Sequence, residues 1–422
     1  MKILISTLGS RGDTQPYLAL AVGLQHAGHR VTLVAPRSFI EWIQSYGVNA
    51  HPVRFNPQEV MQTISKSKNP FQAMRAMREV MNTGVMEAFD DCWQAAQDTD
   101  FLIQTGTGNN ALEIAARRGI PVAFAYLVPM PPTRAFPMLW LPFRFSLGGS
   151  YNYLTHILIQ RVLWSGIGGP TTNRWRTRLG LRAWRSEAEM HHYARSLGAP
   201  WLYGYSPSVL PKPPDWEASH HVTGYWFLDA QPNWEPPADL LRFLESGPPP
   251  VYVGFGSMSH ENPERQTRLA LRALELTGQR GVLLTGWGGI ARLSVPPNVF
   301  FVDNVPHAWL FPRMAAVVHH GGAGTTAAGL RSGVPSIIPA FAGDQVAWAD
   351  RVVKLGVSPR VPGIKQLTAE KLAQAINTAA YGDSALRARA AALGAKIRAE
   401  NGVARAVEII ERHAADFNQH KE

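Results

Sequence analysis

The segment from His319 to Gln345, HHGGAGTTAAGLRSGVPSIIPAFAGDQ, decides the fold of this chain. It follows the short apolar run Ala315–Val318, which predicts a buried strand. The three glycines directly after the histidine pair allow a tight turn and a close approach of the backbone to a ligand. A helix is expected to begin at Thr325 and Thr326. The free N–H groups and the positive end of its dipole suit a diphosphate.

Polar side chains flank this glycine turn. His320 adds a side-chain donor, and a second turn, Ala342–Gln345, follows the next apolar strand. The carboxylate of Asp344 and the amide of Gln345 are groups expected to hold the hydroxyls of a sugar. The combination therefore indicates a nucleotide-sugar site.

The bulk composition is that of a globular protein. At 422 residues the chain is long enough for two domains with full cores, and 45% hydrophobic with 17% charged residues is not typical of disorder. Cys92 is the single cysteine, which excludes an internal disulfide and leaves the redox compartment open, with a reducing cytosol as the favoured one.

The formal net charge is +10. The basic residues are scattered and form no dense tract, so nucleic acid is not expected as a partner, and peripheral contact with anionic lipid headgroups is the better reading. The alternative is that the positive charge reflects a generally basic, arginine-rich proteome and no particular partner. MKILISTLG has too short an apolar core for a signal peptide, and prolines interrupt the apolar region 120–147. We expect a cytoplasmic protein without a membrane-spanning helix, with peripheral membrane contact left open.

Strand-like and helix-like segments alternate along the chain, which favours parallel sheets covered by helices on both faces. The predicted strands are Lys2–Leu8, Arg30–Ala35, Phe101–Thr105, Val122–Tyr126, Pro250–Gly254, Gly281–Thr285, Val299–Val302 and Ala315–Val318.

The predicted fold class is α/β, with two Rossmann-like domains facing a cleft. An N-terminal acceptor-binding domain spans 1–215, and a proline-rich, aromatic linker spans 216–237. A C-terminal nucleotide-sugar-binding domain spans 238–395, and a last helix spans 396–422, with a return to the first domain as one option.

The turn Gly9-Ser10-Arg11-Gly12-Asp13 follows the first predicted strand. Ligands of open parallel sheets lie at such carboxyl ends of strands. Asp13, the carboxylate of this turn, can take a proton from an acceptor hydroxyl as general base. The competing interpretation is that Asp13 merely caps the helix that follows.

Three further turns follow predicted strands in the second half of the chain. Ser257 in GFGSM can donate to a phosphate, the loop 302–307 can read a pyrimidine through its backbone, and Trp287 can stack on a base or sugar. An ordinary loop and a core tryptophan remain the alternatives for the last two. No metal-ligand spacing is complete, so no metal and no cofactor are expected.

Residues 127–163 are apolar, aromatic and punctuated by prolines. Such a loop region either packs under another element or binds an apolar ligand. The expected acceptor-binding side chains are Phe136, Trp140, Phe143 and Tyr151.

Together these segments resemble nucleotide-sugar-dependent glycosyltransferases of the GT-B type, and most of all the sterol 3-β-glucosyltransferases. The resemblance extends over most of the chain and rests on strings that occur in the same order: GSRGDTQPYLALAVGL, TRAFP, YNYL, NRWRTRLGL, HVTGYWFLD, VYVGFGSM, VPHAWLFP and HHGGAGTTAAGLRSGVPSIIPAFAGDQVAWADRV.

The resemblance implies particular roles. Asp13 matches the position of the catalytic base, with Gly12 beside it, and His320 matches the histidine at the diphosphate. Further positions are implied for the phosphate turn, the sugar pair and the nucleobase loop: Gly322, Ala323, Gly324, Thr325, Asp344, Gln345, Val305 and His307.

The implied reaction is an inverting transfer of a hexose, glucose from UDP-glucose, to the hydroxyl of a sterol-like acceptor. Many relatives carry glutamine where His307 stands, and plant and animal relatives carry a ribose-binding glutamate where this chain has Ala328. The close alternative is a glycosyltransferase that uses a deoxysugar donor linked to thymidine diphosphate on a lipid, polyketide or other natural-product acceptor. An epimerase of the same architecture and an idle lipid-binding protein are more distant ones.

Overall fold

The computed structural model describes residues 1–56, 84–108, 110–141, 145–229, 234–256, 262–286 and 289–419. Within them the chain forms two sheets, and every strand pair in both is parallel. The predicted α/β class with two Rossmann-like domains is confirmed.

The first sheet has the order β3-β2-β1-β4-β5-β6-β7. Its strands are β1 Lys2–Ser6, β2 Arg30–Pro36, β3 Asn49–Val53, β4 Phe101–Thr105, β5 Val122–Tyr126, β6 Trp201–Tyr203 and β7 His220–Val222. The order reverses between β1 and β4, which is where such a fold places its ligand crevice.

Helices cover both faces of this sheet. They are α1 Arg11–His26, α2 Ile40–Gln44, α3 Ala111–Arg118, α4 Gly149–Leu163, α5 Gly169–Arg178 and α6 Glu187–Ser196. Residues 84–95 are also helical, and a π-helical turn, Trp164–Gly168, joins α4 to α5.

The second sheet has the order β10-β9-β8-β11-β12. Its strands are β8 Val251–Gly254, β9 Gly281–Leu284, β10 Val299–Val302, β11 Ala316–His319 and β12 Ser336–Ile337. The helices that follow are α7 Ala238–Glu245, α8 Pro263–Thr277, α9 His307–Leu310, α10 Ala323–Ser332, α11 Asp344–Lys354, α12 Ala369–Asn377, α13 Ser384–Ala399 and α14 Gly402–Gln419.

Helix α14 packs on the first domain. Ala406 and Ile410 lie in the same buried cluster as Leu18 and Leu20 of α1. Close packing is possible because α1 carries Gly23 at the crossing, where a methyl group would lie 2.2 Å from Val403 Cγ1.

Three predicted boundaries differ from the structure. Strand β7 lies inside the segment predicted as the linker, so the first sheet extends to Val222, and α13 runs past residue 395 to Ala399. The region 127–163, predicted as an apolar loop, contains α4. The other domain limits stay predictions.

The strands are buried on both faces, as parallel strands covered by helices must be. All five residues of β4 and of β5 are buried, and so are all four of β8. Across the described residues, no helix is both long and apolar enough to cross a bilayer.

Candidate active site

Two helix N-termini face each other across the cleft between the domains. Helix α1 begins directly after β1, and α10 begins directly after β11. They approach closely: a methyl group on Gly324 would lie 3.7 Å from the carbonyl oxygen of Gly12. Because each N-terminus carries a partial positive charge, this part of the cleft favours an anion.

Asp13 lies in the first turn of α1. The N-cap is Ser10, and both its N–H and its Oγ donate to Asp13 Oδ2, each at 2.8 Å. Asp13 is thus the third residue of the helix, as in a capping box, so the expectation that it precedes the helix is wrong. The second oxygen, Oδ1, accepts no hydrogen bond from a described residue, and the half-buried carboxylate keeps one oxygen available.

The glycine turn after β11 presents backbone donors. The first hydrogen bond of α10 joins Thr326 N–H to Gly322 O at 2.9 Å, so the N–H groups of Ala323, Gly324 and Thr325 have no partner within the helix. The helix begins at Ala323, two residues earlier than predicted. Gly322, the N-cap, has no side chain that could accept hydrogen bonds from these N–H groups, so they remain as backbone donors.

His320 fits between two glycines. A methyl group added to Gly256 would lie 2.9 Å from His320 Cε1, and one added to Gly322 would lie 2.5 Å from His320 Nε2. Neither glycine therefore has room for a side chain. Its Nδ1 is buried and has no partner among the described residues. Burial lowers the pKa of His320 to about 4. The ring is therefore neutral near pH 7, with one nitrogen donating and the other accepting.

His319 shapes the same turn, a role the sequence analysis missed. Its ring is fully buried, and its Nδ1 accepts a hydrogen bond from Gly321 N–H at 3.1 Å. Gly321 has a φ of 93°, and a methyl group there would lie 3.3 Å from Gln345 Cβ. The glycine turn and the turn at Ala342–Gln345 are therefore neighbours, as a nucleotide-sugar site requires.

The polar pair of that second turn begins α11. Asp344 Oδ2 accepts a hydrogen bond from Trp348 Nε1–H at 3.1 Å. Gln345 Oε1 accepts one from Phe341 N–H at 3.0 Å, which fixes the turn and leaves the amide nitrogen of Gln345 as the group that can donate to a ligand.

The loop after β10 is where the nucleobase contact is predicted, through the backbone. The Val305 side chain is buried in the cluster around Leu310, so only its backbone can face a ligand. Ala328 packs half-buried on the same cluster. The His307 ring stacks on Phe311 at 4.3 Å, and burial, with the nearby positive charge of Arg11, lowers the pKa of His307 to about 4.

Arg11 crosses the cleft, which the sequence analysis did not foresee although it quoted the turn that contains it. Its Nη1 donates to Asn304 Oδ1 at 3.2 Å, and its guanidinium lies 4.8 Å from the centre of the Trp42 ring. The first helix is thus joined directly to the predicted nucleobase loop.

The predicted acceptor residues lie apart from these contacts. The Phe136 ring is 6.1 Å from that of His156, and Tyr151 stacks on Phe145 at 5.6 Å. Trp140 is 38% exposed. Among the described residues, no hydrogen bond or ring contact joins these three side chains to Asp13.

Three predicted site residues lie outside the described part of the chain: Phe143, Ser257 and Trp287. Across the described residues, no three histidine, cysteine, aspartate or glutamate side chains come together as metal ligands would.

Comparison with known sequences identifies both halves of the chain. Residues 3–127 match the glycosyltransferase family 28 N-terminal domain, and residues 289–412 match the C-terminal domain of erythromycin biosynthesis protein CIII-like proteins. A sterol 3-beta-glucosyltransferase of Cryptococcus neoformans is 36% identical over 98% of this chain, and one of Emericella nidulans is 35% identical over 98%. The chain spans 27% and 30% of the length of these relatives.

Solved structures support the fold. The glycosyltransferase of kitacinnamycin superposes with a TM-score of 0.72 and 20% identity, and the calicheamicin glycosyltransferase CalG4 with 0.69 and 20%, each over 98% of both chains. The chain therefore belongs to the two-domain glycosyltransferases and is homologous, over nearly its whole length, to a part of the sterol 3-beta-glucosyltransferases.

Proposed function

We propose that the protein transfers glucose from UDP-glucose to the hydroxyl of a sterol-like acceptor, with inversion, to give a β-glycoside. The observation that supports the proposal is the meeting of α1 and α10, which brings a carboxylate and a helix N-terminus suited to an anion to one cleft. The names of the curated relatives support the donor sugar and the acceptor class.

On the acceptor side, Asp13 acts as general base. Its Oδ2 is held by Ser10, and its Oδ1 takes the proton of the acceptor hydroxyl. The hydroxyl oxygen then forms a bond to the anomeric carbon while the bond from that carbon to the diphosphate breaks. Phe136, Trp140 and Tyr151 are proposed to contact the apolar acceptor.

On the donor side, the N–H groups that begin α10 and the ring of His320 meet the charge of the leaving diphosphate. Asp344 and the Gln345 amide bind the sugar hydroxyls, and His307 with the backbone at Val305 lies along the nucleobase. Because these groups meet the diphosphate charge, we propose that catalysis needs no divalent metal. Turnover is then expected to be unchanged by excess EDTA.

The test is turnover of UDP-glucose with a detergent-dispersed sterol, following both UDP release and a gain of one hexose by the acceptor. Asp13→Asn preserves the oxygen that Ser10 binds but removes the base, so kcat should fall about 10²- to 10⁴-fold while UDP still binds. Ser10→Ala is the matched control, because it removes the hydroxyl that bonds Asp13 but keeps the base. Its kcat should fall far less than that of Asp13→Asn. Hexosyl transfer at the wild-type rate by Asp13→Asn would disprove the role of Asp13.

The donor is tested separately. UDP-glucose and a deoxysugar linked to thymidine diphosphate are compared at equal concentration. Turnover only with the second donor would replace glucose in the proposal, and no turnover with either donor would overturn the proposed function.

A further inference from the structure

Helix α4 has its polar side buried and its apolar side exposed. The buried residues are Asn152, Thr155, His156 and Gln160. The exposed apolar residues are Tyr153, Leu154, Ile157, Leu158, Val162 and Leu163. A surface helix normally shows the reverse pattern, because burial of apolar side chains stabilises the fold.

The buried polar side holds α4 to the preceding loop by hydrogen bonds. Asn152 Nδ2, His156 Nε2 and Gln160 Nε2 donate to the backbone oxygens of the preceding loop, at Arg134, Phe136 and Met130. Thr155 Oγ1 accepts from Met138 N–H at 2.9 Å. The orientation of α4 is therefore fixed by hydrogen bonds, and the apolar side faces outward as a consequence of the fold.

The preceding loop enlarges the exposed apolar surface. Trp140, Phe145 and Leu147 are exposed, and Phe145 stacks on Tyr151 of α4. Among the described residues, nine of the eleven exposed large hydrophobic side chains lie between residues 140 and 163. We name these nine side chains the apolar face.

The segment that carries the apolar face is basic, although one exposed acid from another segment, Asp215, lies beside it and accepts a hydrogen bond from Arg134 N–H at 2.7 Å. The 73 residues between Glu113 and Glu187 contain ten arginines and no lysine, aspartate or glutamate, so this segment accounts for the whole formal net charge of +10. Some of these arginines pair with acids elsewhere, as Arg178 does with Asp90. Arg134 and Arg161 are exposed beside the apolar residues, and the guanidinium of Arg134 lies 5.6 Å from the centre of the Tyr153 ring.

An apolar stripe flanked by arginines fits the interface of a bilayer that contains anionic lipids. We propose that the apolar face of α4 and its preceding loop docks the N-terminal domain on such a bilayer, with α4 lying in the interface plane. Arg134 and Arg161 contact lipid phosphates. The purpose of docking, which is to collect an acceptor from the membrane, rests on the proposed function. Docking itself does not.

The experiment is flotation of the whole chain with vesicles of phosphatidylcholine, with and without a minor fraction of phosphatidylglycerol, and without acceptor. Leu154→Glu/Leu158→Glu changes two side chains that are each 53% exposed, so folding should be preserved. Leu276→Glu/Tyr381→Glu is the matched control, because these residues are 43% and 49% exposed outside the apolar face.

Wild type and control should float with the anionic vesicles, and the Leu154/Leu158 variant should lose binding about tenfold or more. High salt should weaken the binding to anionic vesicles, since it screens the arginines. Wild type that stays unbound with both vesicle types would overturn the proposal, as would a variant that binds like wild type. If wild type is a dimer in solution and the Leu154/Leu158 variant is a monomer, the apolar face is a protein interface and the proposal is overturned as well.

Activity measured in parallel with detergent-dispersed acceptor separates the two proposals. Wild type that docks on the vesicles but transfers no hexose would remove the proposed function alone. Transfer without docking removes this inference alone.

Discussion

Gly9 has no side chain because the Asp13 carboxylate occupies that space. A methyl group on Gly9 would lie 2.5 Å from Asp13 Cβ, and the backbone of Gly9 does not lie at positive φ. Glycine is therefore required here for room and not for conformational freedom.

Gly9→Ala is expected to push Asp13 away from its position. A displacement of about 1 Å at a reacting group typically costs on the order of 10²-fold in rate, so kcat should fall by about that factor with little change in UDP affinity. Gly166→Ala is the control, because a methyl group there meets open space. Steady-state kinetics of both variants check the prediction, and an unchanged kcat for Gly9→Ala would contradict it.

At this scale the sequence predicted which residue types gather but not how each is held. His320 directly follows β11, and Asp13 and Gln345 lie in the first turns of the helices that follow β1 and β12. The bond from Ser10 to Asp13 and the placing of His320 between two glycines depend on side-chain packing, which spacing along the chain does not encode.

At the scale of elements, the contact of α1 with α14 depends on Gly23. Helix propensity alone predicts that Gly23→Ala stabilises the protein by about 1 kcal/mol. The methyl group would instead meet Val403 Cγ1 at 2.2 Å, and overpacking typically costs about 1–3 kcal/mol.

We expect Gly23→Ala to lower the free energy of unfolding, and Gly23→Ala/Val403→Ala to recover most of the loss by removing the opposing methyl groups. Urea unfolding of the two single variants and the double variant measures the coupling. Stabilisation by Gly23→Ala alone would show that α14 does not pack as described.

Elements with a regular apolar pattern were predictable, whereas very short or inverted ones were not. Helix α10 begins within two residues of its expected start. Strands β6 and β7 have three residues each, too few for a period. Helix α4 was taken as loop because a pattern-based reading assumes that apolar residues are buried.

At the scale of the whole molecule, hydrogen bonds between residues far apart in the sequence help to join the domains. Arg11 reaches Asn304 across the cleft. Elsewhere, Glu400 Oε1 accepts hydrogen bonds from Ser206 Oγ at 2.7 Å and Ser208 Oγ at 2.9 Å. Each contact joins residues more than 190 positions apart, so no local pattern predicts it, although the two-domain architecture itself followed from the alternation of strands and helices.

Burial of several histidines makes the stability of the whole molecule dependent on pH. Burial lowers the pKa to about 4 at four of them, which are His191, His220, His307 and His320. In the unfolded chain the same groups titrate near their ordinary pKa of about 6.5. Below that pH the unfolded chain takes up protons that the folded chain does not, so acidification favours unfolding.

The free energy of unfolding should therefore be nearly constant above pH 7 and fall as the pH drops from about 6.5 to about 4. At pH 5.5 each such histidine contributes a loss of about 1 kcal/mol. Urea unfolding at several pH values measures this slope. His191→Phe keeps an aromatic ring against Trp201, which lies 5.5 Å away, but cannot take up a proton in the unfolded state. Its slope between pH 6.5 and 4.5 should be shallower than that of wild type. Equal slopes would mean that His191 is protonated as readily in the folded protein as in the unfolded chain.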